Sequence, residues 1–397
     1  MEFLSGERYF YSNNKKLKKY SYLNKNINCD ILIIGGGING AILNYHLSKK
    51  YDVVLVEKSR IGANLTSMAT ALLEYQLDSF KTDLESNLTT DEIVSCYKLG
   101  LNSIDKIEKI VKKLKNTCHF NKRPTLIFSN SEKDKKKMYE EYLFRKNNGF
   151  DCEFITKDNN PFNFELNSGI LCNNGGAEFD PYLFTKMMIQ NSNNQNRIFE
   201  NTEIIEINKC TNGYICKCKY GETIFCREVV LATGFNFSLT NANICTRFIS
   251  YSIVTNKLKE ITIQNNTLIQ DFISPYHYLR KLPDERLIFG GEDTKIKDKI
   301  DVKKANDKYQ NLLKILQNMF PNFKEKIKIE YCFCGAFGMT ENNMGLIGRD
   351  NNGIINFLSC GANGIINAFK GVEIVENLLK NIPTKIYENI FSPLREI

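Results

Sequence analysis

Gly35-Gly36-Gly37-Ile38-Asn39-Gly40 and Glu57 are the residues of this chain whose types and spacing most directly specify chemistry. A GxGxxG hexapeptide lets a strand turn sharply into a helix at Gly35. It brings bare backbone at Gly37 within reach of a pyrophosphate, and it lets helix and strand close on each other at Gly40. The first helical residues, Ile38 and Asn39, then offer amide N–H groups and a partial positive charge to phosphate oxygens. Glu57 follows about 20 residues on, where a carboxylate accepts hydrogen bonds from a ribose. Lys58 beside it joins the same set. A glycine turn of purely structural purpose needs no such acid, so the pairing favours a bound dinucleotide. An acid at this position also opposes a 2′-phosphate, which argues against NADP.

Three further motifs narrow the cofactor. Ala232-Thr233-Gly234 ends the apolar run Glu228–Leu231, and small residues there let the chain pass close to a ligand. Together with the first motif this favours FAD over NAD. The loop Ile61–Ala71 is small and rich in hydroxyls; Thr66, Ser67, Ala69 and Thr70 can hydrogen-bond a pyrophosphate or lie against a flat ring, although an ordinary surface loop is the other reading. Gly361, Asn363, Gly364 and Ile365 open the last helix, where backbone N–H groups can stabilise the charge that develops at N1 and the C2 carbonyl of a reduced flavin. Cys360, just before them, reads as a small packed residue, with a redox role as the alternative. Arg349 either approaches the flavin or pairs with Asp350.

The elements that must position these residues are legible as periodic patterns. Cys29–Ile34 and Asp52–Glu57 are short apolar runs that read as buried parallel strands, and Ala41 to Lys50 has helical spacing between them. Asp91 to Lys115 predicts a long amphipathic helix with Asp91 as its cap, and Glu132 to Asn147 a second. Asp180-Pro181 predicts an N-cap and first helical residue. Thr211-Asn212-Gly213 predicts a hairpin turn between strands. Strand-like runs follow at Phe248–Thr255, Thr267–Phe272, Tyr276–Leu282 and Leu287–Phe289, then a helix over Asp301 to Met319 and a final strand and helix from Ile354 to Lys380. The expected fold class is α/β: a discontinuous Rossmann-like FAD-binding domain (27–85, 150–245 and 335–397) with an inserted α+β substrate domain containing an antiparallel sheet (86–149 and 246–334), after an N-terminal extension (1–26).

These four motifs in this order resemble the D-amino-acid oxidase (DAO) superfamily of FAD-dependent oxidoreductases, which includes glycine oxidase, sarcosine oxidase and FAD-dependent glycerol-3-phosphate dehydrogenase. The likeness covers Asn28 to Lys380. It implies that backbone at Ile204 touches the adenine, that Gly361 to Ile365 cradles the flavin pyrimidine edge, and that the block Phe248–Gly291 walls the substrate. It further implies that Arg280 is a carboxylate anchor, as in glycine oxidase-like relatives; a surface charge is the other reading. Alternation puts Tyr276, Tyr278 and Arg280 on one strand face, and Tyr251 is a further wall residue. Arg280, Tyr278 and Tyr251 are thus the expected substrate-site residues. The chain departs from the family's pattern at Asn44 and at Asn342-Asn343-Met344, and it has no Trp. The loop Thr66–Ala71 carries no His or Cys, so non-covalent FAD is expected.

The activity expected is hydride transfer from the carbon beside the nitrogen of a small amino acid or secondary amine to flavin N5, with electrons passing to oxygen or another carrier. The alternatives are an alcohol dehydrogenase of the glycerol-3-phosphate type and a non-catalytic flavin-binding subunit. Composition sets outer bounds. The 42% hydrophobic and 25% charged content is that of a globular protein. The net charge of +8 suits an anionic small-molecule substrate. Its lysine clusters lack the interleaved aromatics of a nucleic-acid surface, so no nucleic-acid partner is expected. No apolar run reaches the ~20 residues of a membrane span, and 13 scattered cysteines fit a reducing cytoplasm. Cys332-Phe333-Cys334 lacks partner ligands, so no metal is expected.

Overall fold

A computed structural model describes residues 4–77, 79–234, 245–272, 275–296, 300–361, 363–383 and 390–395. Two sheets organise them. The eight-stranded sheet runs in the order Leu346–Arg349, Ile355–Leu358, Thr223–Leu231, Ile27–Ile34, Val53–Val56 and Ile198–Phe199, with the strands Gly213–Cys218 and Ile204–Cys210 added beyond Thr223–Leu231. Its centre is parallel: Ile27–Ile34 pairs in parallel with both Thr223–Leu231 and Val53–Val56. These central strands are buried on both faces, which is why they read as continuous apolar runs. Ile31 and Ile33 point into one core with the helices Ile38–Leu47, Pro181–Gln190 and Gly364–Leu379. Leu32 and Ile34 point into the opposite core, with Tyr214 and Cys216 of the added strands and Cys226 of Thr223–Leu231.

The ten-stranded sheet is mostly antiparallel. At its centre Thr246–Thr255 lies between Ile329–Met339 and Leu287–Lys295, followed by His277–Lys281 and Leu268–Asp271. The helix Val302–Met319, capped by the Asp301 carboxylate, lays Tyr309, Leu312 and Leu316 against one face, onto Ile249, Tyr251, Ile253 and Phe289. The alternate residues of the same strands, among them Ser250, Ser252 and Tyr278, turn to the other face.

The hairpin over Thr211–Gly213, the Asp180 cap with Pro181 at the first helical position, and the α/β class stand as read from sequence. Two details differ. The long helix is Thr90–Val111, and its cap is Thr89, not Asp91: Thr89 Oγ1 accepts from Glu92 N–H while the Glu92 carboxylate accepts from Thr89 N–H, a reciprocal capping box. The expected boundaries at 85, 150 and 335 do not coincide with the sheets. Leu72–Glu74, Glu153–Thr156 and Ser168–Glu178 all belong to the ten-stranded sheet, and Ile329–Met339 crosses residue 335. The N-terminal extension is likewise structural: Leu4–Gly6 pairs with Ile329–Met339 at the sheet edge.

The tightest point of the fold is where the helix Ile38–Leu47 crosses its preceding strand. A Cβ at Gly40 would stand 1.8 Å from the carbonyl oxygen of Gly35. Gly35 itself has φ 116°, a region that favours glycine. Gly40→Ala therefore forces helix and strand apart. The expected result, read by thermal or urea unfolding, is a loss of about 1–3 kcal/mol or more. Unchanged stability would contradict the close crossing.

Candidate active site

A cavity of about 410 Å³ lies between the two sheets. One end is built on the glycine turn. Gly35, Gly37, Ile38 and Asn39 line it together with Glu57, Lys58, Arg60 and Ile204. The Glu57 carboxylate is fixed by the chain it follows: Oε2 accepts from Gly36 N–H at 2.7 Å, and Oε1 accepts from the N–H and Oγ of Ser59, each at 2.9 Å. Oε2 keeps a free lone-pair direction for a sugar hydroxyl. The first intrahelical bond of Ile38–Leu47 is donated by Ala41 to the Gly37 carbonyl, so the earlier amides have no helical acceptor. Thr66 Oγ1 accepts from Ile38 N–H at 3.0 Å. Gly40 itself does not line the cavity; it closes the helix onto the strand.

The middle of the cavity is lined by Thr66, Ala69, Thr70, Ala232, Thr233 and Gly234. Beyond them come Gly361, Asn363, Gly364 and Ile365 at the start of the helix Gly364–Leu379; Ala362 lies outside the described residues. A Cβ at Gly364 would stand 2.5 Å from the Ser359 carbonyl, and Ser359 Oγ donates to Asn39 Oδ1 at 2.7 Å, so the two glycine turns are tied to each other. Asn363 does not cap its helix; its amide donates to the Gln76 carbonyl at 2.7 Å. Both turns thus face one elongated space: a carboxylate at one end, two helix N-termini along it and a flat small-residue stretch between. These residues fit FAD, whose two ends they match in kind.

The sheet end is walled by Ser250, Ser252, Gln270, Tyr276, Tyr278 and Phe337. Tyr278 Oη lies 2.9 Å from Ser250 Oγ and 3.3 Å from Ser252 Oγ, and burial pushes its phenol up to about 12. Opposite Ser250 the partner strand carries an extra residue: Ile249 pairs with Thr294 but Tyr251 pairs with Gly291. This bulge, with Glu292 at φ 56°, puts the Asp293 carboxylate close enough to Ser250 for its hydroxyl to stabilise the ionised form. Burial raises Asp293 to about 6, and its Oδ1 is buried without a partner. Glu74 also lines the cavity and accepts from Gln76 Nε2 at 2.5 Å. The only Lys and Arg among the described lining residues are Lys58 and Arg60, both at the Glu57 end.

Three residues expected at the site are elsewhere. Arg280 shares the strand face of Tyr278 but lies beyond the cavity. It is 2% exposed, with Nη1 3.3 Å from Glu178 Oε2, Nη2 donating to the Phe179 carbonyl at 3.0 Å, and its guanidinium over the Phe10 ring. Tyr251 has the opposite parity to Ser250 and Ser252. It points under the sheet, where its hydroxyl meets Thr294 Oγ1 at 3.0 Å. Ser67 is turned inward, its Oγ donating to the carbonyls of Ala63 and Asn64. Arg349 is held away from the cavity by a two-point pair with Glu228, at 2.8 Å each. Sequence reasoning missed Ser250, Ser252, Gln270 and Asp293. Period-two alternation from Tyr251 flags both serines; Asp293 depends on the bulge and carries no local signal. It also missed Arg8, which reaches from the N-terminal extension to the Ala63 carbonyl and to Ser67 Oγ at 3.3 Å, bracing the hydroxyl-rich loop.

Comparison with known proteins agrees with this geometry. Residues 30–376 match the DAO family, described as FAD dependent oxidoreductase. Gamma-glutamylputrescine oxidoreductase of Escherichia coli is 21% identical over 392 residues, 94% of this chain and 88% of that protein. YhfW of Bacillus subtilis, named as a Rieske 2Fe-2S iron-sulfur protein, is 24% identical over 202 residues, 50% of this chain but only 39% of the relative. The crystal structure of glycine oxidase from Geobacillus kaustophilus superposes with a TM-score of 0.78 at 18% identity, covering 93% of this chain and 99% of that one.

Arg280→Met separates anchoring from folding. Glu178 keeps Arg123 on Oε1 at 2.8 Å but loses its contact at Oε2, and the Phe179 carbonyl loses its donor, so a loss of about 1–3 kcal/mol is expected in urea unfolding. The KM for a reducing substrate should stay within about twofold of the parent. A steep rise in KM with stability intact would return Arg280 to the substrate site.

Proposed function

This chain belongs to the DAO family of FAD-dependent oxidoreductases, and from that premise we propose that it oxidises the carbon–nitrogen bond of a small amino acid or secondary amine. The observation that carries the reading is the charge layout of the sheet end of the cavity. Glu74 lines the cavity and Asp293 stands behind Ser250; no described Lys or Arg lines the sheet end, while Lys308 and His277 act on Asp293 from behind that wall. Such a wall attracts an ammonium group and offers no fork to a carboxylate or phosphate. The likeness to a relative named for oxidation of a putrescine derivative points the same way.

When bound, FAD would supply the two-electron acceptor for the hydride, with oxygen or another carrier as the final acceptor. The chain's own residues bind, orient and move a proton. Gly35, Gly37 and the amides of the helix Ile38–Leu47 hold the pyrophosphate, Glu57 holds the ribose, and the turn Gly361–Ile365 meets the flavin edge. Without His or Cys in the loop Thr66–Ala71, the cofactor is held non-covalently. Tyr278 orients the donor carbon. An amine must lose its ammonium proton before its C–H bond can deliver a hydride. Tyr278 Oη and Ser250 Oγ, 2.9 Å apart, lead toward the nearby Asp293 carboxylate, and that proton leaves the cavity along them. Asp293 accepts it only when ionised, above about pH 6. The imine product then hydrolyses in water.

The test is anaerobic reduction of the holoprotein followed at the flavin absorbance, with small amino acids, N-alkyl glycines, diamines and glycerol 3-phosphate as donors. Amines should bleach the flavin, more slowly as pH falls through about 6, and Asp293→Asn should remove that inflection. Bleaching by glycerol 3-phosphate alone would replace this reading with alcohol oxidation. A flavin that no donor reduces would make the protein a flavin-binding subunit.

A further inference from the structure

The wall of the cavity holds a second group able to exchange electrons. Cys360 lines the cavity just before the turn Gly361–Ile365, and its Sγ lies 3.4 Å from Sγ of Cys245. The two residues are 115 apart in sequence, yet the fold brings them to the same strand end. Cys245 immediately precedes Thr246–Thr255, which pairs with Ile329–Met339 through Thr246 and Met339. Gly361 N–H donates to the Gly338 carbonyl of that same strand at 2.8 Å. Both cysteines therefore hang from neighbouring points at the end of Ile329–Met339. They pack on the same small apolar cluster with Leu346 and Leu358.

Their surroundings differ from those of the other close thiols. Cys152 and Cys172, and Cys216 and Cys226, are all buried; Cys245 is partly exposed while Cys360 is buried. Arg395 reaches the pair from the C-terminal segment. Its Nη atoms are held by the carbonyls of Gly345, Met344 and Ser392 and by Asn342 Oδ1, but its Nε is buried without a partner. The Cys360 thiol hydrogen bond, with the Arg395 charge beyond it, holds the Cys245 thiol below its ordinary range. A partly exposed thiol 3.4 Å from a buried one is the arrangement of a reactive and a resolving cysteine.

We propose that Cys245 and Cys360 are a peroxide-reactive pair that closes into a reversible disulfide on the cavity wall. The Cys245 thiolate attacks one oxygen of hydrogen peroxide; an S–O bond forms, the O–O bond breaks, and hydroxide leaves and takes up a proton to become water. The Cys360 sulfur then attacks the Cys245 sulfenic acid; the S–S bond forms, the S–O bond breaks, and a second water carries away the Cys360 proton. Two thiols are oxidised by two electrons and one peroxide is reduced to two waters. The link ties the strand entering the ten-stranded sheet to the turn before the helix Gly364–Leu379, so it fixes one side of the cavity. Nothing in this step depends on which donor reduces the flavin.

The test treats the holoprotein with equimolar hydrogen peroxide, blocks free thiols with iodoacetamide, and maps the unreduced digest by mass spectrometry. The expected product is a pair of peptides joined through Cys245 and Cys360, lost on treatment with dithiothreitol. Cys360→Ser should leave Cys245 as a sulfenic acid that dimedone traps, and Cys245→Ser should leave Cys360 unmodified. Cys245 carried to sulfinic acid without a link, a link through Cys152 and Cys172 instead, or both target thiols alkylated after peroxide would each overturn the proposal.

Discussion

Everything at the site depends on one close crossing. The helix Ile38–Leu47 leaves its strand so tightly that Gly40 has room for no Cβ against the Gly35 carbonyl. That contact aims the first amides of the helix, which have no helical acceptor, along the cavity. The same turn supplies Gly36 N–H, which holds the Glu57 carboxylate at the tip of the next strand. The proposed phosphate cradle and ribose acceptor thus both follow from a single backbone geometry. The second glycine turn, at Gly364, is locked to the first through Ser359 and Asn39, so the two helix ends act on one ligand.

The second consequence is a division of charge between the ends of the cavity. Lys58 and Arg60 accompany Glu57 at one end, and Glu74 and the buried Asp293 bias the other. A net positive chain therefore carries acidic groups at the wall where we propose the donor sits. The arginine that sequence pattern offered as an anchor is committed elsewhere. Arg280, Glu178 and the Phe179 carbonyl form a buried knot beneath the N-terminal extension. Such a group secures packing between elements, and its one unpaired donor, Nε, is buried away from the cavity lining.

What the sequence made legible was local. The glycine turn, Glu57, the Asp180 cap and the hairpin at Thr211–Gly213 each lie within a few residues of the signals that specify them. Alternation correctly put Tyr278 and Arg280 on one face but carried no information on how far along the strand the cavity extends. Tyr251 failed by one residue of parity, since its neighbours Ser250 and Ser252 face the cavity. Asp293 was hidden because its direction is set by an extra residue in the pairing of Thr246–Thr255 with Leu287–Lys295, which is a property of two strands together. The three-residue strand Leu72–Glu74 was too short to show a period, and with it the division between the sheets was misread.

The account is tested most directly by titrating the cofactor-free protein with FAD and with FMN, following the quenching of flavin fluorescence. Glu57 and the glycine turn act on the adenosine and pyrophosphate half, which FMN lacks. FAD should therefore bind at least about a hundredfold more tightly, a difference of ~2.7 kcal/mol, and Glu57→Gln should erode that margin while leaving FMN affinity alone. Equal affinity for the two flavins, or no flavin bound at all, would contradict the central claim that this crossing was built for a dinucleotide.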